Sequence, residues 1–509
     1  SLFGGAGNDI LFASDDDATI DGGAGVDTVS FLRSVSAVRL LDADLAAVEI
    51  IDIGATAAGA YDFSPQSEAL TIRGGDAADT IVGGGAADSL AGNGGDDLLV
   101  ASAADALIDG GAGRDSVRFS APVTIAALAN ADLVNVEVVE ISATVAGSYD
   151  FSVQTEALTI IGGSAADTIT GGTASDALNG GGGADLLIAS DADATIDGGA
   201  GIDTVSFAAP VSSTTRGDAA FLGIEVVAIT NTAAGSYDFS LQTEALTVIG
   251  GGSADTIIGG AGADSLLGGL GNDVLAAADN DALVDGGGGT DTVRFAAPVS
   301  SASLANAAMV NTEFVLIVNT AAGLYDFSAQ TETLTISGGS AADTIVGGSA
   351  ADSLLGTGGD DVLVATQFDA LVDGGAGIDT VRFGADVSAA NLLNADLANV
   401  EVVAISATSP GTYDLSVQAE ALTILGGAAA DTMTGGLAAD SLIGNDGNDL
   451  IVATDSDALI DGGAGVDTVR FGVSVSASAL ANADLVNVEV VAISASIAGG
   501  YDFSAQGES

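Results

Sequence analysis

The chain has 509 residues, with 70 acidic side chains against nine basic ones, all arginine, and a formal net charge of -61. Such a surface repels nucleic acid and anionic membrane and favours cations. Cysteine, histidine, lysine and tryptophan do not occur, which excludes disulfides, thiolate or imidazole metal sites, Ser-His and Cys-His nucleophile pairs and lysine Schiff bases, and leaves oxygen-ligand chemistry.

Glycine is twice as frequent as usual, yet 48% of the residues are hydrophobic, far too many for an acidic disordered tail, so the chain can bury a core. The longest apolar candidate, FVLIVNTAAGLY from Phe314 to Tyr325, falls short of the 18 or so residues of a membrane span. No signal peptide is visible, and the chain starts and stops inside a repeat, so it reads as a fragment of a longer protein.

The repeat is 88 residues long. YDFS begins at Tyr61, Tyr149, Tyr237, Tyr325 and Tyr501, with YDLS at Tyr413, and DGG recurs at Asp21, Asp109, Asp197, Asp285, Asp373 and Asp461. No insertion or deletion breaks the step, as expected where each copy stacks on the next and a lost residue would shift strand register. The expected architecture is all-β: a parallel β-roll or β-helix solenoid, continuous over residues 1–509. Its units are 1–73 (partial), 74–161, 162–249, 250–337, 338–425 and 426–509 (partial).

The first section of each unit divides by nine. In the second copy the blocks are GGDAADTIV, GGGAADSLA, GNGGDDLLV, ASAADALID and GGAGRDSVR, from Gly74 onward. Position eight is always branched and apolar, which predicts a core ladder with one inward side chain per block. Glycines at positions one and two permit positive φ in a tight turn and the aspartate at position six closes it. Each block is thus a six-residue turn plus a short strand, and two blocks make one coil of 18 residues.

The second section, 119–161 in the same copy, has Val, Ile, Phe and Thr runs bounded by Gly, Ser and Asn, and reads as wider rungs of the same solenoid. Within it AALANADLV suggests a short helical turn. VNVEVVEIS does not alternate cleanly, which suggests cover on both faces.

Neighbouring rungs lie about 4.8 Å apart. Stacked carboxylates therefore repel by roughly 1 to 3 kcal/mol per adjacent pair, depending on the dielectric. A hard dication with six to eight oxygen ligands reverses that sign, and calcium suits the arrangement better than magnesium, which holds its water and wants a rigid octahedron. Folding is then coupled to calcium.

The blocks resemble the repeats-in-toxin (RTX) family of haemolysin-type calcium-binding nonapeptides, whose pattern is Gly-Gly-X-Gly-X-Asp-X-apolar-X. The resemblance covers about half of the chain directly. The 88-residue combination also resembles repetitive regions of secreted bacterial adhesins and surface-layer proteins. The family implies calcium between loops of successive coils, held by turn carbonyls and by the aspartate.

Carried over, the best pairs are Asp9 with Asp27, Asp97 with Asp115, Asp185 with Asp203, Asp273 with Asp291, Asp361 with Asp379, and Asp449 with Asp467. Both loops of each pair have glycine at position four. A second ion per copy would use Asp79, Asp167, Asp255, Asp343 and Asp431, where position four is Ala or Ser and a β-carbon is expected to crowd the turn. On the opposite edge Asp88, Asp176, Asp264, Asp352 and Asp440 face a block without the glycines, whose aspartate, as at Asp105, has slipped to position five. A full site is not expected there. The total is about two ions per copy, with a third if that edge also binds.

Simpler readings stand beside these. A lone position-six aspartate is a turn residue, but recurrence in phase favours calcium. The YDFS aromatics read as core filler and the aspartate before each GG as turn entry. Glu49, Glu137, Glu225, Glu313, Glu401 and Glu489 read as solvated or hydrogen-bonded rung residues, since one per 88 forms no ladder of its own.

The resulting expectation is a non-enzymatic, secreted bacterial structural rod (adhesin stalk, extracellular filament or surface-layer element) that folds on calcium outside the cell. The alternative is the calcium-binding export and folding module of a larger toxin or hydrolase. Carbohydrate or ice binding ranks last. Expected partners are calcium ions and further copies, end to end or side by side, with no nucleic acid and no membrane insertion in this stretch.

Overall fold

The computed structural model describes residues 1–124, 126–212, 217–476, 484–494 and 499–504, which fall into two compact units, 1–251 and 252–509. Each is an all-β parallel solenoid. Among the described residues helix is confined to three-residue 3-10 turns such as Asn130–Asp132 and Asn306–Ala308.

In the first unit Thr80–Val82, Leu98–Ala101 and Ser116–Phe119 stack in parallel, with Thr80 opposite Leu98 and Leu98 opposite Ser116. On the facing wall Thr71–Arg73, Ser89–Ala91 and Leu107–Asp109 stack with the same 18-residue step, so two nonapeptides make one coil. Three-residue strands leave only the central side chain pointing inward. Ile81, Leu99 and Val117 on one wall and Leu90 and Ile108 on the other accordingly lie fully buried as two facing ladders, at the eighth position of each block. Leu99→Ala is expected to cost about 2 to 5 kcal/mol, because neighbours held by the ladder above and below cannot collapse into the space; calorimetry of the calcium-loaded chain checks this.

The second section widens the coil. Ser116 pairs with Val138 and Val138 with Thr159, while Ile108 pairs with Leu133. The extra residues form the 3-10 turn Asn130–Asp132, which realises the helical turn read in AALANADLV, and a single bridge from Val123 to Tyr149. Val136, Val138, Val139 and Ile141 are buried, and Arg118 donates from Nε to Glu140 at 2.9 Å across the outer face. Tyr149 and Phe151 of YDFS are core, with the Phe151 ring 6.1 Å from Phe119.

Nine strands, counted from Ala60–Asp62, precede its equivalent Ser148–Asp150. Because the count is odd, the first joins the sheet of Thr80–Val82 while the second joins the facing sheet, with Thr168–Thr170. Consecutive copies therefore exchange walls.

The second unit repeats these features. Thr344 pairs with Val362 and Val362 with Thr380, the coil widens at Val402 and Thr423, and Ile345, Leu363 and Val381 form a buried ladder within this unit. Phe295 and Phe327 pack at 5.9 Å.

Candidate metal centre

The position-six aspartates form columns along one edge of the stacked turns. In the second copy the Gly59 N–H donates to Asp79 Oδ1 at 2.9 Å, the Asp79 N–H to Asp97 Oδ1 at 2.7 Å, and the Asp97 N–H to Asp115 Oδ1 at 2.7 Å. Asp115 N–H then donates to Glu137 Oε2 at 2.8 Å. The same column runs through Asp167, Asp185, Asp203 and Glu225, and in shorter form through Asp9, Asp27 and Glu49. In the second unit it joins Asp255, Asp273, Asp291 and Glu313; Asp343, Asp361, Asp379 and Glu401; and Asp431, Asp449, Asp467 and Glu489.

Apart from Asp9, which heads its column, these aspartates thus spend Oδ1 on the backbone of the coil before them. The other oxygen is left over. Oδ2 of Asp9, Asp27, Asp97, Asp115, Asp167, Asp185, Asp203, Asp273, Asp291, Asp343, Asp361, Asp379, Asp449 and Asp467 is buried without a hydrogen-bond donor. Asp79 and Asp431 find one, from the Gly75 and Gly427 N–H at 3.4 and 3.1 Å. A buried carboxylate oxygen without a donor is costly, and acceptor-only oxygens are what a hard cation takes.

The turns supply further acceptors. Positive φ falls at positions two and four, as at Gly111 (97°) and Gly113 (152°), rather than at positions one and two. Position one is glycine for a different reason: a β-carbon on Gly92 would collide with Asp97 Oδ2 and with the Gly110 carbonyl. The cradle beside the orphaned oxygen therefore exists only because no side chain fills it. The Asp79-type turns, with Ala77 or Ala165 at position four, show no positive φ at positions one to four and so escape the expected β-carbon strain by a different backbone path.

The opposite edge is complete in itself. Asp88 Oδ1 accepts from Leu70 N–H at 2.8 Å and Oδ2 from Gly84 N–H at 2.6 Å, while Asp88 N–H donates to Asp105 Oδ1 at 3.1 Å. Asp105 closes its own turn through Ser102 N–H at 2.8 Å. Asp176, Asp352 and Asp440 are held in the same way, and Asp264 accepts from Gly260 N–H at 2.7 Å. Both oxygens of such an aspartate serve backbone donors.

Burial, then the carboxylates above and below, pushes the middle member of each triple, Asp97, Asp185, Asp273, Asp361 and Asp449, up to about 6. Burial also raises Asp115 and Asp203, next to Glu137 and Glu225. Among the described residues no three acidic side chains converge as a ligand set, so an ion here depends on backbone carbonyls as well as carboxylates.

Three contributors escape a reading of the sequence. The glutamates cap the columns, because the widened coil of 22 residues sets Glu137 over Asp115. Asp105 completes its edge because its slip to position five still reaches Asp88, 17 residues back. Position-five Asn or Asp braces successive turns, as where Arg114 N–H donates to Asp96 Oδ1 at 2.9 Å. Glu137→Ala is expected to leave the Asp115 N–H unpaired at a cost of about 1 to 3 kcal/mol, seen as faster hydrogen exchange of that amide, whereas Glu137→Gln keeps the acceptor.

The family model of the RTX calcium-binding nonapeptide repeat matches residues 1–29, 71–119 in two overlapping stretches, 159–205 likewise, 247–275, 337–369, and 423–473 in two overlapping stretches. These stretches hold most of the column aspartates, with Asp291 and Asp379 beyond the matched residues. No curated protein matches the chain.

Proposed function

We propose, because this chain carries the calcium-binding nonapeptide repeats of the RTX family, that it is a calcium-stabilised extracellular structural element that folds on calcium after secretion. Adhesin stalk, extracellular filament and surface-layer element are the roles that suit a long repeat array. Repeats of this kind are typical of proteins that bacteria secrete, and the acidic, lysine-free composition suits exposure outside the cell.

The observation that carries the reading is the set of buried, donor-free Oδ2 atoms confined to one edge of each copy. Asp79 with Asp97 and Asp97 with Asp115 would each contribute carboxylate oxygens to one calcium ion, two per copy, with turn carbonyls completing the shell. Asp167, Asp185 and Asp203 do so in the next copy, and Asp255, Asp343 and Asp431 begin the corresponding triples with Asp273 and Asp291, Asp361 and Asp379, and Asp449 and Asp467. Asp9 with Asp27 would hold a single ion. The opposite-edge aspartates close turns instead. Calcium when bound supplies positive charge where the fold has concentrated negative charge, while the residues themselves orient the oxygens and exclude water. Unbroken 88-residue phase along the sequence supports one array over 1–509, and association with further copies, end to end or side by side, suits such a repeat array. Circular dichroism of the full chain under calcium and then chelator is the test.

A further inference from the structure

We propose a further calcium site in the second unit, in the loop that carries Asn319 at the foot of the Asp343 column, and a counterpart in the first unit in the equivalent loop that carries Asn231. It rests on the calcium reading above but lies outside the spaces between stacked nonapeptide turns.

At Gly339 the backbone leaves a hollow that a methyl carbon would enter at 2.5 Å from Asn319 Oδ1, 3.0 Å from the Asn319 carbonyl and 3.5 Å from the Ile317 carbonyl. All three atoms are acceptors. The amide orientation is fixed, because Asn319 Nδ2 donates to Asp343 Oδ1 at 3.0 Å and to the Ala321 carbonyl, which turns Oδ1 toward the glycine. Asn319 Oδ1 is buried with no donor.

Two further oxygens beside it share that condition. Asp343, 1% exposed, has no donor for Oδ2, and the Tyr325 hydroxyl is buried without a partner. Both flank Gly323, whose N–H donates to Asp343 Oδ1 at 2.9 Å and whose missing side chain leaves room for the tyrosine ring.

The arrangement recurs in the other unit. Around Gly251 the Asn231 carbonyl, Asn231 Oδ1 and the Ile229 carbonyl lie 3.2, 3.3 and 3.3 Å from the same hypothetical carbon, and Asn231 Oδ1 is again without a donor. Where alanine occupies the position, two carbonyls and one carboxylate remain: Ala143, Ile141 and Asp167 Oδ2 around Gly163, at 2.6, 3.3 and 3.6 Å. Asparagine therefore adds a side-chain oxygen to a hollow already lined by acceptors. Neutral and anionic oxygens with no nitrogen or sulfur among them select a hard divalent cation, and their irregular spacing suits calcium over magnesium.

Calcium bound to the full chain, counted by equilibrium dialysis against the metal alone, tests the proposal. Asn319→Ala is expected to bind one ion fewer, and Asn231→Ala with Asn319→Ala two fewer, while the calcium-dependent strand signal persists. Alanine is the native residue at the equivalent Ala55, Ala143 and Ala407, so the substitution is compatible with the fold. The converse change, Ala143→Asn, is expected to bind one ion more. An unchanged count in the double variant, with the other ions still bound, overturns the further site alone. A wild-type chain that binds no calcium overturns the column sites and this one together.

Discussion

Chelation of calcium at neutral pH is expected to abolish most of the strand signal of the full chain, and millimolar calcium to restore it. At a thousandfold excess over its dissociation constant, one ion that binds only the native state stabilises it by about 4 kcal/mol. Typical whole-domain stability is about 5 to 15 kcal/mol, so a few such ions decide whether the fold persists. Removing them leaves Asp97 and Asp115 with buried, donor-free oxygens facing one another's charge. Magnesium at the same concentration is expected to do less. Circular dichroism, with scanning calorimetry for the loaded state, measures the effect; a strand signal indifferent to chelator sinks the mechanism.

In chelator, lowering the pH is expected to refold the chain. Asp97, Asp185, Asp273, Asp361 and Asp449 titrate near 6 in the fold against an ordinary carboxylate value of 3.8. The folded state therefore binds more protons than the unfolded one between these values. Stability of the metal-free chain rises as pH falls through about 6, is fully developed below about 3.8, and is lost as pH rises again. Asp281 and Asp457 on the other edge, also raised to about 6 by burial, add to the same trend. With calcium present the order reverses at the column, because protons and metal compete for the same oxygens. Thermal melts at pH 4, 5, 6 and 7, with and without chelator, give the two opposite slopes.

The core was legible because repetition makes it so: an apolar residue at position eight of successive nonapeptides can serve only a ladder, and Ile81 and Leu99 form one on one wall while Leu90 and Ile108 form one on the other. The 18-residue coil follows from the same arithmetic. Glu137 was legible as a solvated or hydrogen-bonded rung residue but its partner was not, since its place above Asp115 depends on the coil widening by four residues, a length that no local pattern announces. Asp97 and Asp88 were told apart in the sequence by the glycine-poor block that Asp88 faces, but the contact that distinguishes them was not legible: Gly84 N–H reaches the spare oxygen of Asp88 while no donor reaches that of Asp97. Glycine at position one was read as a matter of φ, whereas it answers to the closeness of Asp97 Oδ2.

The odd number of strands per copy has a mechanical outcome. In the first unit Asp97 precedes Leu98 on one wall and Asp185 precedes Leu186 on the facing wall, while Asp88 and Asp176 occupy the edges left free. In the glycine-rich section of these two copies one seam is stitched by backbone hydrogen bonds, while the other is left with donor-free carboxylate oxygens. If calcium fastens that second seam, as proposed, its loss unfastens a single side, and the side that opens is on one wall in the first of these copies and on the facing wall in the next.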